Sequence, residues 1–548
     1  MWVKRGEYRS VSEYIAATTN NSVAELRNPE PGSPLDICGM AEAAALIRKE
    51  IDQMSKVTII GDYDSDGLNA TAILVRLFRY LGVEPKTVIP RRISDGYGLS
   101  ANIVNGIDGG LVITIDNGIV AVNEVQMLKD KGCRVIVIDH HLPGDQLPPA
   151  DVLVDPHIDP SRNKFCGYCG AGLGYLLAML ILESEDPAGM MVPLRQNITV
   201  HAAIATVTDV MPMLGPNRRI VMDGLAILNG DMRCLSPGLI VLRNCTGTER
   251  YTESDLGFTL GPLINATARL YDRGGESVLK ALICDSAEEA RGYVAKMVQI
   301  NDRRKELTKQ YVSRIEQKIQ AEGLAEVSPI VVVDDGIPEG LIGLVAGNLV
   351  NKYGTATFVL SRAKDMPGLL KGSGRANTEA GEDLTSVLDA IRPLCAKCGG
   401  HAGAAGLSLY EADLPRISQI MRESFTAAKA DVRRYYDLEI AEADIPQVYQ
   451  ELMSFAPFGP GLPEPVILVR GYHTVERFGS HYRVIGKMRD SIRINGIQSD
   501  IFGYQMAAQY TQIGCPGVFD IVGTVAGNTY NGRTTIQIRP LDLLPVVA

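Results

Sequence analysis

Three short apolar runs end in carboxylate or imidazole residues, and no other feature of the chain restricts its fold as much. VTIIG (57–61) leads straight into Asp62-Tyr63-Asp64-Ser65-Asp66-Gly67. GLVITI (110–115) ends in Asp116-Asn117-Gly118, and CRVIVI (133–138) ends in Asp139-His140-His141. The runs are rich in Val and Ile without polar alternation, as in strands buried on both faces. KTVIP (86–90) reads as a fourth strand, and helical stretches are expected at 70–82 and 117–131. Strand–helix alternation of this kind predicts an α/β fold with a parallel sheet covered on both sides. Such sheets bind ligands beyond the carboxyl ends of their strands. A helix-like run, HAAIATVT (201–208), ends in Asp209 and offers one more carboxylate.

Carboxylates gathered at one edge repel one another and stay ionised only with positive charge between them. Oxygen and imidazole donors suit Mn or Mg better than a closed structural zinc site, which favours Cys. A pair of divalent ions about 3.5–4 Å apart is the common clamp for phosphoester hydrolysis. Taken singly, Asp-x-Asp-x-Asp reads as well as a calcium loop or turn, and Asp-Asn-Gly reads best as a turn. Asp-His-His after a β-branched run is rarer by chance in a chain with seven His. The three together point to a metal centre.

The rest of the 548 residues divides by pattern. Residues 190–285 read as mostly helical. Residues 286–322 hold no Pro, dense charge and apolar residues at three-to-four spacing, which predicts one long connecting helix rather than two broken near Asn301. A second strand–helix block runs from PIVVVDDG (329–336) to GGHAGAAGLSL (399–409). From about 430, short β-rich runs alternate with turn residues, the pattern of a small β-barrel. The expected domains are 1–285, the helix 286–322, then 323–428 and 429–548. With 46% hydrophobic residues, bulk disorder is excluded. The formal charge of −10 argues against an all-over basic surface, yet a local basic groove suffices for nucleic acid.

These motifs resemble the DHH phosphoesterase superfamily and, within it, the RecJ-like single-strand-specific exonucleases. GDYDSDG, IDNG, VIDHH and TVTDVMPM match the family's four motifs in order, GLLKGSGR (368–375) and GGHAGAAG (399–406) its DHH-associated domain, and FAPFGPGLPEP (455–465) the start of its OB-fold. The resemblance implies a DHH phosphoesterase domain, a connecting helix, a second α/β substrate-binding domain and an OB-like barrel. It implies two divalent cations, Mn or Mg. Asp64 and Asp116, with Asp62, would hold one; Asp66, Asp116, His140 and Asp209 would hold the other. His141 would lie behind the ligands or touch the scissile phosphate. Arg92, Ser373 and Arg375 would bind a 5′-terminal phosphate, and Arg269 and His401 would line the DNA path. The sequence departs from the family at Ile337-Pro338-Glu339, in INATARL and at Leu462, which bears on substrate detail rather than on hydrolysis.

The expected activity is 5′→3′ hydrolysis of single-stranded DNA to 5′-mononucleotides, in DNA repair or recombination. A phosphodiesterase for short RNA or cyclic dinucleotides is the rival, and a non-catalytic replication scaffold a more distant one. Expected partners are single-stranded DNA and, from family behaviour, a single-strand-binding protein. The chain is expected to be a cytoplasmic monomer with no membrane span. In the tail, Arg470, Arg477, Tyr482, Arg483, Lys487, Tyr530 and Arg533 could contact a strand, though each reads more simply as a solvated surface residue. Cys166-x-x-Cys169 and Cys395-x-x-Cys398 are expected to be packed thiols rather than a shared zinc site. Gly170, Gly172 and Gly174 are expected to serve tight helix packing. The absence of a Walker A sequence speaks against an ATP-driven helicase.

Overall fold

The computed structural model describes residues 2–546 apart from 93, 97, 187, 364–365, 379–380, 427–433, 475–490, 496–497, 505, 515 and 531. It divides into two compact units, one of residues 2–264, 275–294 and 435–548, the other of 265–274 and 295–434.

The larger unit begins with β1 (Trp2–Lys4) and helices α1 (Val11–Thr19), α2 (Val23–Arg27) and α3 (Met40–Asp52). Its centre is a five-stranded sheet of β2 (Val57–Ile60), β3 (Lys86–Val88), β4 (Leu111–Ile115), β5 (Arg134–Ile138) and β6 (Val152–Val154), in the order β3-β2-β4-β5-β6. Every pair is parallel. The expected strands are all present, and β6 is an addition. On one face, Ile60, Val112, Val135 and Val137 pack with Val104 of α5 (Ala101–Asn105) and with Val125 and Leu128 of α6 (Val122–Asp130). On the other lie α4 (Ser65–Tyr80) and α7 (Gly170–Glu185). Apolar cover on both faces is why these strands carry no polar alternation. The helix expected from Asn117 starts five residues later, because 117–121 form the turn that places Asp116.

α8 (Val192–Thr208) packs on α4 and α7. It is followed by α9 (Gly215–Asn229), α10 (Pro237–Asn244), α11 (Glu253–Asp255), a π-helical turn at Leu256–Leu260, α12 (Gly261–Leu270) and α13 (Gly274–Leu282). α14 (Ala287–Ala321) is one unbroken helix of 35 residues.

The smaller unit holds a mixed sheet of β7 (Ile330–Val333), β8 (Thr357–Arg362), β9 (Leu369–Arg375), β10 (Cys395–His401) and β11 (Ala404–Tyr410), ordered β10-β11-β9-β8-β7. Of these, only β7 and β8 run parallel. One face packs on α14 and α15 (Glu339–Tyr353), the other on α16 (Thr385–Ile391) and α17 (Leu414–Thr426). The Gly-rich runs, not anticipated as strands, are β9 to β11. Gly374 lies opposite Phe358, and a Cβ there would stand 2.5 Å from the Phe358 ring. The missing side chain makes room for an aromatic core residue on the neighbouring strand.

In the C-terminal part, β12 (Arg434–Tyr436) pairs with β1. A six-stranded sheet follows: β13 (Leu438–Ala441), β14 (Ile467–His473), β15 (Ser491–Asn495), β16 (Asp500–Tyr504), β17 (Val518–Tyr530) and β18 (Arg533–Leu544), ordered β13-β14-β17-β18-β16-β15. Helices α18 (Ile445–Met453) and α19 (Ala507–Gln512) lie between its strands in sequence. FAPFGPGLPEP fastens this sheet to the rest of its unit. Arg218, wholly buried, donates to Leu26 O, Pro457 O and Phe455 O, and Met213 N donates to Pro460 O at 2.7 Å. Charge-assisted bonds of this kind offset the cost of burying a guanidinium. Among the described residues, no helix is long and apolar enough to cross a membrane.

Candidate metal centre

The parallel register sets the site. Ile60 lies opposite Thr114, and Ile115 opposite Ile138, so the residues after β2, β4 and β5 leave the sheet side by side. β2 has β3 on one side and β4 on the other, so the chain reverses its direction of winding beside it. Crevices at such switch points are where open α/β sheets bind ligands.

Backbone N–H groups hold two of the acidic side chains, one locally and one from a distant helix. Asp64 caps α4, accepting from Asp66 N at 3.0 Å and Gly67 N at 3.1 Å. Asp66 accepts from Gly170 N at 2.7 Å and Ala171 N at 2.8 Å, the free N–H groups at the start of α7. Gly170 is glycine because a Cβ there would stand 2.5 Å from the Asp116 Cβ. Asp116 has φ +62°, a left-handed conformation uncommon outside glycine. The turn is braced by Asn117, whose Nδ2 donates to Ile60 O and Ile115 O. Asp209 follows the last turn of α8.

The three strand ends and α8 converge. His140 Nε2 lies 3.1 Å from Asp116 Oδ1, 3.6 Å from Asp66 Oδ2 and 3.7 Å from Asp209 Oδ2. Three groups each offer donor atoms within 4.8 Å of one another: Asp62, Asp64 and Asp116; Asp66, His140 and Asp209; Asp116, His140 and His141. Neither Cys pair figures in such a group among the described residues. All six expected metal residues therefore lie together with His141, and Asp116 and His140 are shared between groups.

The electrostatics of these groups suit a bound cation. Burial and the Asp64 charge push the Asp62 carboxyl well above the usual range. Burial and the Asp66, Asp64, Asp62 and Asp139 charges do the same to Asp116. Asp209 is pushed up to about 9 by burial and by Asp66 and Asp64, and burial and Asp66 raise Asp64. Asp62 Oδ1 and Asp209 Oδ2 are buried without a hydrogen-bond partner. Burial lowers the His140 pKa, which keeps its imidazole neutral and able to ligate. Arg92 and His141 offset part of this repulsion, and the buried oxygens and hard oxygen–imidazole donors fit Mn or Mg, which would neutralise the rest.

Asp139, absent from the expected site residues, holds the centre from behind. It accepts from Ile119 N at 2.9 Å, His140 N at 2.8 Å and His141 Nδ1 at 2.7 Å. Burial would lower the His141 pKa, but the bond to Asp139 and its charge outweigh that and raise it to about 9. Asp155 is a second unanticipated residue, buried, with Oδ2 unpartnered, and pushed up to about 7 chiefly by burial. The sequence signals were Asp139 within Asp-His-His itself and Gly170 at the head of a glycine-rich helix.

Of the other candidates, Arg92 lies in the same unit, 5.0 Å over the Tyr63 ring, with its charge acting on Asp62. Ser373, Arg375, Arg269 and His401 lie in the smaller unit. Arg375 Nη1 donates to Ser373 Oγ at 2.7 Å and to Gly374 O at 2.8 Å. Arg269 Nη1 donates to Gly340 O, and exposed His401 accepts from Gly403 N. In the tail, Arg470 is committed to Glu439 and Asp520, and Arg533 is exposed. Arg477, Tyr482, Arg483, Lys487 and the Tyr530 side chain lie outside the described residues.

The chain matches three known domain families: the DHH family N-terminal domain over residues 56–206, the DHHA1 domain over 326–427 and the RecJ OB domain over 436–542. It is 30% identical to the single-stranded-DNA-specific exonuclease RecJ of Thermus thermophilus over 521 residues, covering 94% of this chain and 72% of that protein. A crystal structure of RecJ in complex with Mn2+ from Thermus thermophilus superposes with TM-score 0.76 at 27% identity, covering 98% of this chain and 78% of that one. The corresponding structure with Mg2+ superposes with TM-score 0.71 at 25% identity, covering 98% and 77%. On fold, domain content and identity over most of its length, the chain belongs to the RecJ family of DHH phosphoesterases.

Proposed function

We propose that the chain is a metal-dependent exonuclease that degrades single-stranded DNA from the 5′ end and releases 5′-mononucleotides in DNA repair or recombination. The convergence of Asp62, Asp64, Asp66, Asp116, His140 and Asp209 around buried, unpartnered oxygens carries this reading. Asp62, Asp64 and Asp116 would hold one divalent ion; Asp66, Asp116, His140 and Asp209 would hold the second. Bound there, the ions supply an activated water and neutralise charge on the phosphate.

The protein's own groups do the rest. Backbone N–H groups fix Asp64 and Asp66 before any ligand arrives, so little reorganisation is left to the reaction. His141, its Nδ1 tied to Asp139, keeps a proton on Nε2 for a phosphate oxygen. Arg375 with Ser373, and Arg92 in its own unit, offer donors suited to a terminal phosphate. Arg269 and His401 would line the strand's path. Residues 1–285 would carry the chemistry, 286–322 the connection, 323–428 substrate binding and 429–548 nucleic-acid binding. A single-strand-binding protein as partner, a monomeric state and a cytoplasmic location complete the proposal.

Labelled single-stranded DNA, duplex DNA, short RNA and a cyclic dinucleotide, each with Mn, test it against wild type and Asp116→Ala. Mononucleotides released from the 5′ end of single-stranded DNA, by wild type alone, are expected. Equal activity of the two proteins would discard the metal assignment. Preference for the cyclic dinucleotide would favour the phosphodiesterase reading.

A further inference from the structure

Behind the carboxylates, a chain of polar side chains, buried at His201, Asn69 and Ser65 and half-buried at Thr208, joins the start of α4 to the end of α8. His201, wholly buried on α8, meets Asn69 Oδ1 through Nδ1 at 2.8 Å. Asn69, wholly buried on α4, donates from Nδ2 to Ser65 O at 2.7 Å and more weakly to Ser65 Oγ at 3.4 Å. Thr208 Oγ1 donates to Ser65 Oγ at 2.9 Å. Ser65 precedes Asp66, and Thr208 precedes Asp209.

This chain is costly to bury. Apolar side chains would pack α4 against α8 with no need for partners, and a buried polar group without one costs about 1–3 kcal/mol. His201 Nε2 has no partner. Asn69 commits its Nδ2 to Ser65, so its oxygen faces His201 and fixes the proton on His201 Nδ1. Burial holds that imidazole neutral, with its pKa lowered to about 3. What the chain supplies in return is geometry. Apolar contacts between helices slide, whereas hydrogen bonds fix a distance. The distance fixed here joins Asp66 and Asp209, two of the three groups that surround one candidate cation position with His140.

We infer that the chain His201–Asn69–Ser65–Thr208 is a positioning network that sets the spacing of Asp66 and Asp209, and with it the affinity for the cation those residues share. This rests on the assignment of Asp66, His140 and Asp209 as ligands. Outer groups that orient metal ligands change metal affinity by about 10–100-fold when removed.

The experiment titrates Mn into the metal-free full chain, followed by calorimetry and by the paramagnetic resonance of bound Mn, with thermal unfolding recorded alongside. Thr208→Val removes the hydroxyl at nearly constant volume and should weaken one of two Mn sites by about tenfold or more, leaving the other unchanged. Ser65→Ala should do the same, and Thr208→Ser should restore wild-type affinity. Wild-type binding at both sites in Thr208→Val and Ser65→Ala overturns the network's role. Equal weakening of both sites, together with a lowered melting temperature, also overturns it, because that marks general loosening. Asp209→Ala tests the underlying assignment separately: if it too binds two ions normally, the ligand set is wrong and the failure lies there.

Discussion

The carboxyl edge of the parallel sheet and the Gly-rich strands of the smaller unit handle polar side chains in opposite ways. At the first, the acidic groups are mostly buried and fixed by backbone donors: Asp64 by Asp66 N and Gly67 N, Asp66 by Gly170 N and Ala171 N, Asp139 by Ile119 N. At the second, Ser373 and Arg375 are half-buried, His401 is exposed, and Arg375 rests on its own strand. The first site has like charges that Arg92 and His141 relieve only in part, so its geometry is strictly set for a cation. The second has donors already paired within the sheet, Ser373 Oγ to Ala405 O and Arg375 Nη1 to Ser373 and Gly374, and no such repulsion to relieve. Substitution should therefore abolish function at the first and only weaken binding at the second.

The sharpest way to break that contrast is Asp116→Ala. Asp116 belongs to two of the candidate ligand groups. Cation-assisted charge stabilisation is worth several kcal/mol, so turnover of single-stranded DNA should fall by about 10³-fold or more. Calorimetry should show Mn binding lost or much weakened. A variant that turns over within tenfold of wild type would place the chemistry elsewhere.

Removing metal exposes the same site through stability. Asp62, Asp116 and Asp209 carry raised carboxyl pKa values in the folded, metal-free chain, with Asp209 at about 9. A raised acid binds its proton more tightly folded than unfolded. The stability it contributes is whole below the unfolded value of about 4 and is lost as pH rises through the folded value. Chelated protein should thus melt at progressively lower temperature from pH 5 to pH 9, and Mn should restore more at each step. Melting curves with and without chelator read this directly, and a metal effect that shrinks as pH rises would contradict it.

Asp139→Asn addresses the layer behind the ligands. The change keeps one acceptor oxygen, for either Ile119 N or His140 N, and removes the charge that raises the His141 pKa. Turnover should drop by about 10–100-fold, the usual cost of an altered outer partner, with KM for DNA little changed. A pure KM effect would assign Asp139 to binding rather than to the centre.

How far these regions were legible in the sequence follows the same division. β2, β4 and β5 were plain because burial on both faces forces continuous Val and Ile. The ligand cluster was plain because all its members but Asp209, which follows α8, sit just after those strands. β9 to β11 were not, because glycine breaks up a strand pattern, and in β9 Gly372 and Gly374 make room for Leu360 and Phe358 on the neighbouring strand, a fact stored in residues ten or more positions away. Gly170 was read as packing alone, yet its N–H also holds Asp66 across 104 positions. Arg218, the buried anchor for the 455–457 carbonyls, carried no sequence signal, since an arginine written as a letter looks exposed.

The smallest expected effect comes from Arg375→Ala, and it sharpens the comparison from the other side. Arg375 is partly desolvated, and its Nη1 has two acceptors on its own strand, so the fold loses two local hydrogen bonds, to Ser373 Oγ and Gly374 O. A terminal phosphate would lose a charge-assisted donor, worth about 1.5–3 kcal/mol, or roughly ten- to a hundredfold in binding. Because that donor already has acceptors within its own strand, the lower end applies. KM for 5′-phosphorylated single-stranded DNA should rise by about tenfold while kcat stays within a factor of about two and Mn affinity does not move. The same strand with a 5′-hydroxyl should show little difference between wild type and variant, because it lacks the group Arg375 would hold. Equal KM increases on both strands would mean that Arg375 contacts the strand elsewhere, and a lost Mn site would mean that the two regions are not the independent pair described above.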